Sequence, residues 1–428
     1  MSKSKNDIQW EKLFNKYKIL ERISQEGHTI ITSANINAFR QARLMTKFDH
    51  KSQLPKLFTD NKLSILPISR GSYVIGQFET FFDFDKDIVE ATKIHFPTYL
   101  ESLDFKEITS ESTAINCAFV SEILHDFTEE EKLFPTVSGR MSSSSFTFNI
   151  NSSKGLFKIN VNNSQIEIDG GFEGDNSLYL IEAKNYISDD FLVRQLYYPY
   201  KLWSGKIQKN VRPIFLTYTN GSFHLREYSF ENLDHYNSLV LVKHKKYLVQ
   251  EEEFNTQTIE DLINKTLVIP EPQIPFPQAD SFDRVINLCE LLSQKGFMSK
   301  ENITRNYDFD KRQTDYYTNA AKYLGLITID NDPDNGHNGC FLTNIGKQIF
   351  KINLFDRQKE FIKLIIRHAA FQQTLILYLE TGEVPNKKSI FDIMQKCSLY
   401  NIKSEVTYNR RSSTIIGWVN WIINLIEE

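Results

Sequence analysis

Cysteine pairs, histidine clusters, glycine-rich phosphate loops and long apolar runs are all missing from this sequence, and each absence narrows what it can do. The four cysteines, Cys117, Cys289, Cys340 and Cys397, lie far apart with no CxxC pair. They are expected as reduced core thiols rather than a disulfide frame or zinc cluster. The nine histidines form no HExxH or HxH. Neither a Walker-type GxxxxGK loop nor GxGxxG occurs, so a nucleotide-driven motor or dinucleotide enzyme lacks its usual signature. The most apolar stretch, Trp418 to Ile426, is cut by Asn420 and Asn424 and is too short to span a membrane. Seventeen Gly and twelve Pro in 428 residues exclude collagen-like or linker-dominated chains. The first residues, MSKSKNDIQWEKLF, lack the apolar core of a secretory signal, so a cytoplasmic address is expected.

What is present is ordinary globular composition, 41% hydrophobic and 24% charged, long enough for two or three folding units. Net charge is -4, but it is unevenly spread. Residues 79–134 carry 14 acidic against 4 basic side chains, and residues 1–60 carry 11 basic against 6 acidic. Residues 184–213 and 386–411 each hold six basic side chains against two acidic ones. Basic stretches around an acidic block suit an enzyme gripping a polyanion, and solvated surface faces explain them equally well.

Periodicity gives an α/β (α+β) chain. Residues 8–60 read as mostly helical, followed by strands in 63–68 and 71–78. An amphipathic helix is expected over Ser110–Phe127, with Ser110 as N-cap. The period then changes to two in Phe146–Ile150, Leu156–Val161 and Gln165–Asp169. Ser177–Lys184 is apolar on both faces, as in a central strand. A helix over Asp189–Trp203 and strands Val211–Tyr218 and Phe223–Tyr228 complete this part. Residues 269–280 hold four of the twelve prolines and mark the main boundary. Beyond it, Ser281–Lys295, Ser299–Tyr307 and Asp310–Leu324 read as helices. A polar hairpin tip then leads through Gly339–Leu342 into Thr343–Phe350, which makes a winged helix. Residues 356–428 read as a second, partly degenerate copy. The expected division is an N-terminal helical and strand region over 1–100, a core over 101–250, a Pro-rich linker over 251–280, and winged helices over 281–355 and 356–428.

The stretch that carries chemistry is Gln165-Ile-Glu-Ile-Asp169-Gly-Gly with Leu180-Ile-Glu182-Ala-Lys184-Asn. Glu182 and Lys184 are two apart in a strand and project from one face. If the strands pair antiparallel, Asp169 sits opposite them. Two carboxylates and an ammonium at one sheet end can hold a hard cation through oxygen and leave the lysine to orient or deprotonate a water. Such a cluster hydrolyses phosphodiesters. A salt-bridged strand pair is the structural alternative.

These residues resemble the PD-(D/E)XK nuclease superfamily, with Asp169 as the first acid and Glu182-Ala183-Lys184 as the ExK element. The helix after it, with Gln195, looks like the helix in which relatives place a Gln near the phosphate. Tyrosines stand at 197, 198 and 200 where some relatives carry Gln-x-x-x-Tyr. The strings Gln-Ala-Arg43-Leu-Met-Thr-Lys-Phe-Asp, Ser-Gly-Arg140-Met-Ser-Ser and Pro-Phe-Pro-Gln-Ala-Asp280 extend the likeness to type II restriction endonucleases. The resemblance implies a mixed-sheet nuclease core flanked by helices, ahead of a mainly α region of tandem winged helices. It implies Mg²⁺, replaceable by Mn²⁺, on Asp169, Glu182 and the Ala183 carbonyl, with Lys184 activating the water to leave a 5′-phosphate. It also implies double-stranded DNA as substrate, a homodimer and a partner DNA methyltransferase, with no nucleotide and no membrane. A further Glu from the preceding helix is implied, with Glu111 ahead of Glu122.

DNA contacts are expected from Arg40, Arg43 and Lys47, from Arg140, from Arg312 and Tyr316 on the third helix of the first winged helix, and from Arg410 and Arg411 in the second copy. Gly71-Ser-Tyr-Val-Ile-Gly reads as a plain strand rather than a GIY-YIG site. Asp49-His50 lacks the partners of a ββα-metal nuclease. The tyrosines at 197, 198 and 200 with Trp203 read as helix core rather than a base-stacking platform. A non-enzymatic winged-helix regulator and a structure-specific repair nuclease are the rival functions, and the first winged helix can equally serve domain or dimer contacts.

Overall fold

The computed structural model describes every residue except 1–3, 86–88, 98, 104, 106–107, 250–253, 308, 332–337, 384, 401, 403 and 427–428. It is mixed α/β and divides into two compact units. The first holds residues 1–92, 110–218 and 223–247; the second holds 93–109, 219–222 and 248–428. Of the core expected over 101–250, residues 110–218 and 223–247 fall in the first unit.

The first unit opens with the helix Lys5–Tyr17, closed at its start by a capping box between Ser4 and Asp7. Trp10, Leu13 and Phe14 fall on one helical face and bury against Phe58 and Met45. The Trp10 indole donates to the Met45 carbonyl at 3.0 Å, which anchors the short helix Ala42–Thr46. A three-stranded antiparallel sheet with Ser72–Gly76 at its centre supports this layer. The plain strand expected at Gly71–Gly76 is thus present. Its neighbour His28–Thr32 lies within a stretch expected to be mostly helical.

The central sheet has seven strands, in the order Ala91–Ile94, Leu239–Val249, Ser222–Phe230, Asn210–Thr219, Ser177–Lys184, Gln165–Glu173 and Phe134–Ser142. Ser177–Lys184 pairs parallel with Asn210–Thr219 and antiparallel with Gln165–Glu173. Every residue of Ser177–Lys184 is buried, as its two-faced apolar pattern requires. Helix Glu111–Val120 covers one face, where Ile115 fills the space over Gly170. Helix Arg194–Ser204 covers the other and sends Gln195 to Glu182. Tyr197 and Tyr198 are fully buried in an aromatic cluster with Phe148, Phe191 and Tyr236, so they are core, as expected, with Tyr200 and Trp203 packed against them.

Three local expectations fail here for physical reasons. The helix over 110–127 is two helices, Glu111–Val120 and Ile123–Thr128. The Ser121 hydroxyl bonds back to the Cys117 carbonyl at 2.6 Å and Glu122 takes a left-handed backbone, φ 64°. The helix expected from Asp189 starts at Arg194, because Asp190–Leu192 pairs as a strand with Phe81–Asp83. The linker over 251–280 contains a helix, Thr256–Lys265, N-capped by Asn255.

In the second unit, helices Phe282–Lys295, Lys300–Asn306 and Lys311–Tyr323 match the three expected ones. Strands Phe297–Ser299, Ile327–Asn331 and Asn338–Leu342 form a three-stranded sheet with the last at its centre. The expected hairpin tip falls on 332–337, outside the described residues. Residues 354–426 contain four helices, Leu354–Ile366, Ala369–Thr381, Lys387–Lys396 and Glu405–Ile426, and no strand among the described residues. The second copy expected there therefore lacks a described wing. The Glu405–Ile426 helix is instead a core element, burying Trp418 against Phe282 and Phe371.

Candidate active site

Asp169 and the Glu182–Lys184 pair are brought together by strand register. The antiparallel ladder ends at Leu180↔Gly171 and Ile181↔Gly170, so the next residues on the two strands are Glu182 and Asp169. Side chains alternate along Ser177–Lys184, which puts Glu182 and Lys184 on the face of Leu180. The Asp169 carboxylate accepts the Ala183 N–H at 2.9 Å, an additional tie across the strand ends. The Lys184 ammonium donates to Glu182 Oε1 at 2.6 Å and to the Ala183 carbonyl at 3.2 Å. Gln195 Nε2 donates to the same Glu182 oxygen at 2.5 Å. Glu111, on the first turn of its helix, lies 3.7 Å from Lys184. Glu122, the other candidate, sits at the break between two helices and carries no described contact to this group.

These residues line a cleft of about 600 Å³. Its walls also carry Arg43, Lys47, Arg70, Arg140 and Arg194. Of the expected DNA-contacting residues in this unit, Arg43, Lys47 and Arg140 reach the cleft; Arg40 does not, and is held by Asn6 at 2.6 Å. Arg140 is paired with Glu167 at 3.0 Å. Arg70 and Arg194 line the cleft without having been singled out in the sequence, and Asp49, weighed there beside His50 and set aside, lines it too. Arg194 adjoins Gln195, so the first turn of a helix directly after the ExK strand was the available signal for it. Asp49 lies 120 residues from Asp169, so no local pattern links the two.

The electrostatics are those of carboxylates gathered around the Lys184 ammonium, with Lys47 acting on them as well. Burial drives the Glu182 carboxyl up to about 8, with Asp169 and Asp49 pushing the same way against Lys184. Burial also raises Asp169 and Glu111, despite the attraction of Lys184. Burial opposes the charge of Lys184, but Glu182, Tyr186, Asp49 and Glu111 together hold it firmly protonated. Asp49 is likewise penalised by burial, yet Lys184, Lys47, His50 and Arg194 keep it below the ordinary carboxylate range.

Among the described residues, no three His, Cys, Asp or Glu side chains form a closed metal cage. The donors that are present still suit a hard divalent cation. Asp169, Glu182 and the Ala183 carbonyl offer oxygen only, and the surrounding carboxylates outnumber Lys184. The buried Gln195 Oε1 has no hydrogen-bond partner, leaving an acceptor open beside Glu182. Lys184 itself rests on two of the oxygens such a cation would take.

In the second unit, Arg312 lies over the Tyr316 ring at 6.0 Å, and Tyr316 is close enough to act on the charge of Arg411. Arg410 is exposed and Arg411 half-buried. The helices Lys311–Tyr323 and Glu405–Ile426 thus bring four of the expected DNA-contacting residues into one neighbourhood.

No curated protein and no solved structure matches the chain. Three family models do match, on consecutive stretches. Residues 7–75 are similar to Domain of unknown function (DUF6996), residues 76–248 to Domain of unknown function (DUF6997), and residues 284–427 to Domain of unknown function (DUF7226).

Proposed function

We propose that the protein is a Mg²⁺-dependent endodeoxyribonuclease that hydrolyses phosphodiester bonds of double-stranded DNA, with the restriction type as its class. The observation that carries this reading is the convergence of Asp169, Glu182 and Lys184, with Gln195 and Glu111, in a cleft rimmed by Arg43, Arg70, Arg140 and Arg194. Asp169, Glu182 and the Ala183 carbonyl would hold the divalent cation, which would supply charge neutralisation at the phosphate and a more acidic water. The protein's own part is positional. The rim arginines and Lys47 attract and orient the phosphate backbone. Gln195 fixes the rotamer of Glu182, and Lys184 places a charged donor beside the attacking water. The mixed sheet, with a helix on each face of the strand carrying Glu182, supports the PD-(D/E)XK reading.

The helix–strand–helix–helix–strand–strand order over residues 282–342 supports a winged helix in the second unit. Its third helix presents Arg312 and Tyr316 as the recognition surface. The same reading carries a homodimer and a companion methyltransferase protecting host DNA.

The test is digestion of plasmid DNA. Discrete fragments with Mg²⁺ or Mn²⁺, and none with EDTA, are expected, while Ca²⁺ supports binding without turnover. Full activity in EDTA would refute the mechanism, and cleavage of branched DNA alone would transfer the site to a repair nuclease. The close Lys184–Glu182 pair favours a second reading, in which the group is a structural salt bridge in a DNA-binding regulator. Sequence-specific binding with no cation-dependent cleavage selects it.

Replacing Arg410 and Arg411 together with Ala is expected to weaken cognate binding at least roughly tenfold, since a bidentate Arg–guanine contact discriminates by about 1–3 kcal/mol. Titrations against cognate and scrambled duplexes at two salt concentrations separate this from phosphate contacts, which weaken all duplexes evenly and lower the salt slope. Binding equal to wild type on every duplex removes these arginines from recognition.

A further inference from the structure

Two turns build a second polar wall of the cleft. One is the hairpin turn between Ser64–Pro67 and Ser72–Gly76, where the Ile68 and Ser69 N–H groups both donate to the Ser72 carbonyl, at 2.9 and 3.2 Å. The other joins Gly155–Asn162 to Gln165–Glu173, with Asn163 in a left-handed backbone, φ 53°. The Asn162 N–H donates to the Ile68 carbonyl at 2.8 Å, so the two turns lie side by side. Each is also tied to a further segment. The Ser33 N–H donates to the Gly71 carbonyl at 2.8 Å, and the Ser164 N–H donates to the Ser143 hydroxyl at 3.0 Å. Ser69, Arg70 and Ser164, from these turns, all line the cleft.

Arg70 is exposed, and its guanidinium has no ion pair among the described residues. Ser164 is fully buried, yet its hydroxyl has no hydrogen-bond partner among them. A buried hydroxyl left unpaired is costly, which points to a ligand that satisfies it. The Ser69 hydroxyl oxygen accepts the Gly71 N–H at 3.3 Å, leaving its own proton to donate. Glu167, three residues beyond Ser164, is already engaged by its cross-strand partner Arg140 at 3.0 Å. A guanidinium and two hydroxyl donors make an anion site. Ser164 precedes Asp169 by five residues, about 17 Å at strand spacing, too far for one phosphate to touch both. Each step of B-DNA advances about 3.4 Å along its axis, so an anion held here lies up to about five steps from one at Asp169. We infer that Arg70, Ser69 and Ser164 form a subsite for a backbone phosphate flanking the cut, which fixes the path of the strand along the cleft. This inference rests on the nuclease reading.

The experiment is binding of a fluorescein-labelled duplex, spanning a plasmid cleavage site, to the full chain in Ca²⁺, followed by anisotropy at several salt concentrations. Arg70→Gln is expected to weaken binding about tenfold and to lower the slope of log affinity against log salt by about one. Ser164→Ala is expected to weaken binding about fivefold with the slope unchanged. Its melting midpoint should equal or exceed that of wild type, since the change removes an unpaired buried hydroxyl. A lower midpoint would make the hydroxyl structural and overturn its assignment. Because both side chains hold one phosphate, the double variant should lose clearly less than the product of the single losses, about fiftyfold. Fully multiplicative losses overturn the shared subsite. Binding of Arg70→Gln equal to wild type at every salt concentration overturns the proposal even where Ser164→Ala fails to fold. A wild-type chain that cleaves no plasmid overturns the nuclease reading itself and this inference with it.

Discussion

Lys184→Ala and Asp169→Ala are each expected to lower DNA cleavage by roughly 10³-fold or more, with binding in Ca²⁺ retained. On the proposed reading both side chains would address the cation and the water rather than base edges, so the loss should appear in kcat. Each change also disturbs the fold locally. Removing Lys184 strips Glu182 of its ion pair, and breaking a buried pair costs about 3–5 kcal/mol. Removing Asp169 leaves the Ala183 N–H without its 2.9 Å acceptor, at about 1–3 kcal/mol. Lys184→Met and Asp169→Asn are therefore measured beside them, with melting midpoints recorded for all four. If any of the four, well folded, keeps more than a few per cent of the wild-type rate, its residue is not part of the chemistry.

The part of the site that could be read from sequence is the part that local rules govern. Period-two alternation marks Gln165–Asp169 as a strand and the two-faced apolar run marks Ser177–Lys184 as a central one, and the strand geometry alone then puts Glu182 and Lys184 on one face. Gln195 follows within one helical turn of the next element. Asp49 and its companions Arg70 and Tyr73 come from a different layer, fixed by contacts such as His50 to Asp190, 140 positions apart. No periodicity carries that information. The strands missed altogether show the same limit. Phe134–Ser142 is largely exposed and has two register shifts against its partner, so its apolar residues do not alternate. Leu239–Val249 is interrupted by Lys243, His244, Lys245 and Lys246, the first three of which meet Glu129, Asp85 and Asp126.

A similar argument applies to the stretch around Arg410 and Arg411, where DNA contacts are expected. Arg410 and Arg411 follow Glu405 and Tyr408 in a polar start, but the helix continues to Ile426 and its second half is core. One helix thus serves two purposes, with basic residues near its beginning and a packing surface after them. The longer apolar half sets its stability, and the arginines are carried on it.

That division makes Gly417 and Trp418 the positions where the second unit is expected to be most sensitive. A Cβ at Gly417 would lie 1.9 Å from the Asp280 carbonyl oxygen, a backbone atom that cannot swing aside. Trp418 is fully buried, donates to the Ala279 carbonyl at 2.7 Å, and packs 5.0 Å from both Phe282 and Phe371. Trp418→Ala is expected to destabilise this unit by about 3–5 kcal/mol, from lost burial and the cavity left behind. Trp418→Phe keeps most of the packing and loses the donor, for about 1–3 kcal/mol. Gly417→Ala should cost at least about 1–3 kcal/mol, since it pushes the end of the Pro-rich segment off the helix. Urea unfolding followed by tryptophan fluorescence separates the units, because Trp418 and Trp421 lie in one and Trp10 and Trp203 in the other. The Trp418 variants, which lose that reporter, are followed by circular dichroism. If Gly417→Ala unfolds at the same urea concentration as wild type, the chain at Ala279–Asp280 is not seated on this helix, and the packing account of the second unit is wrong.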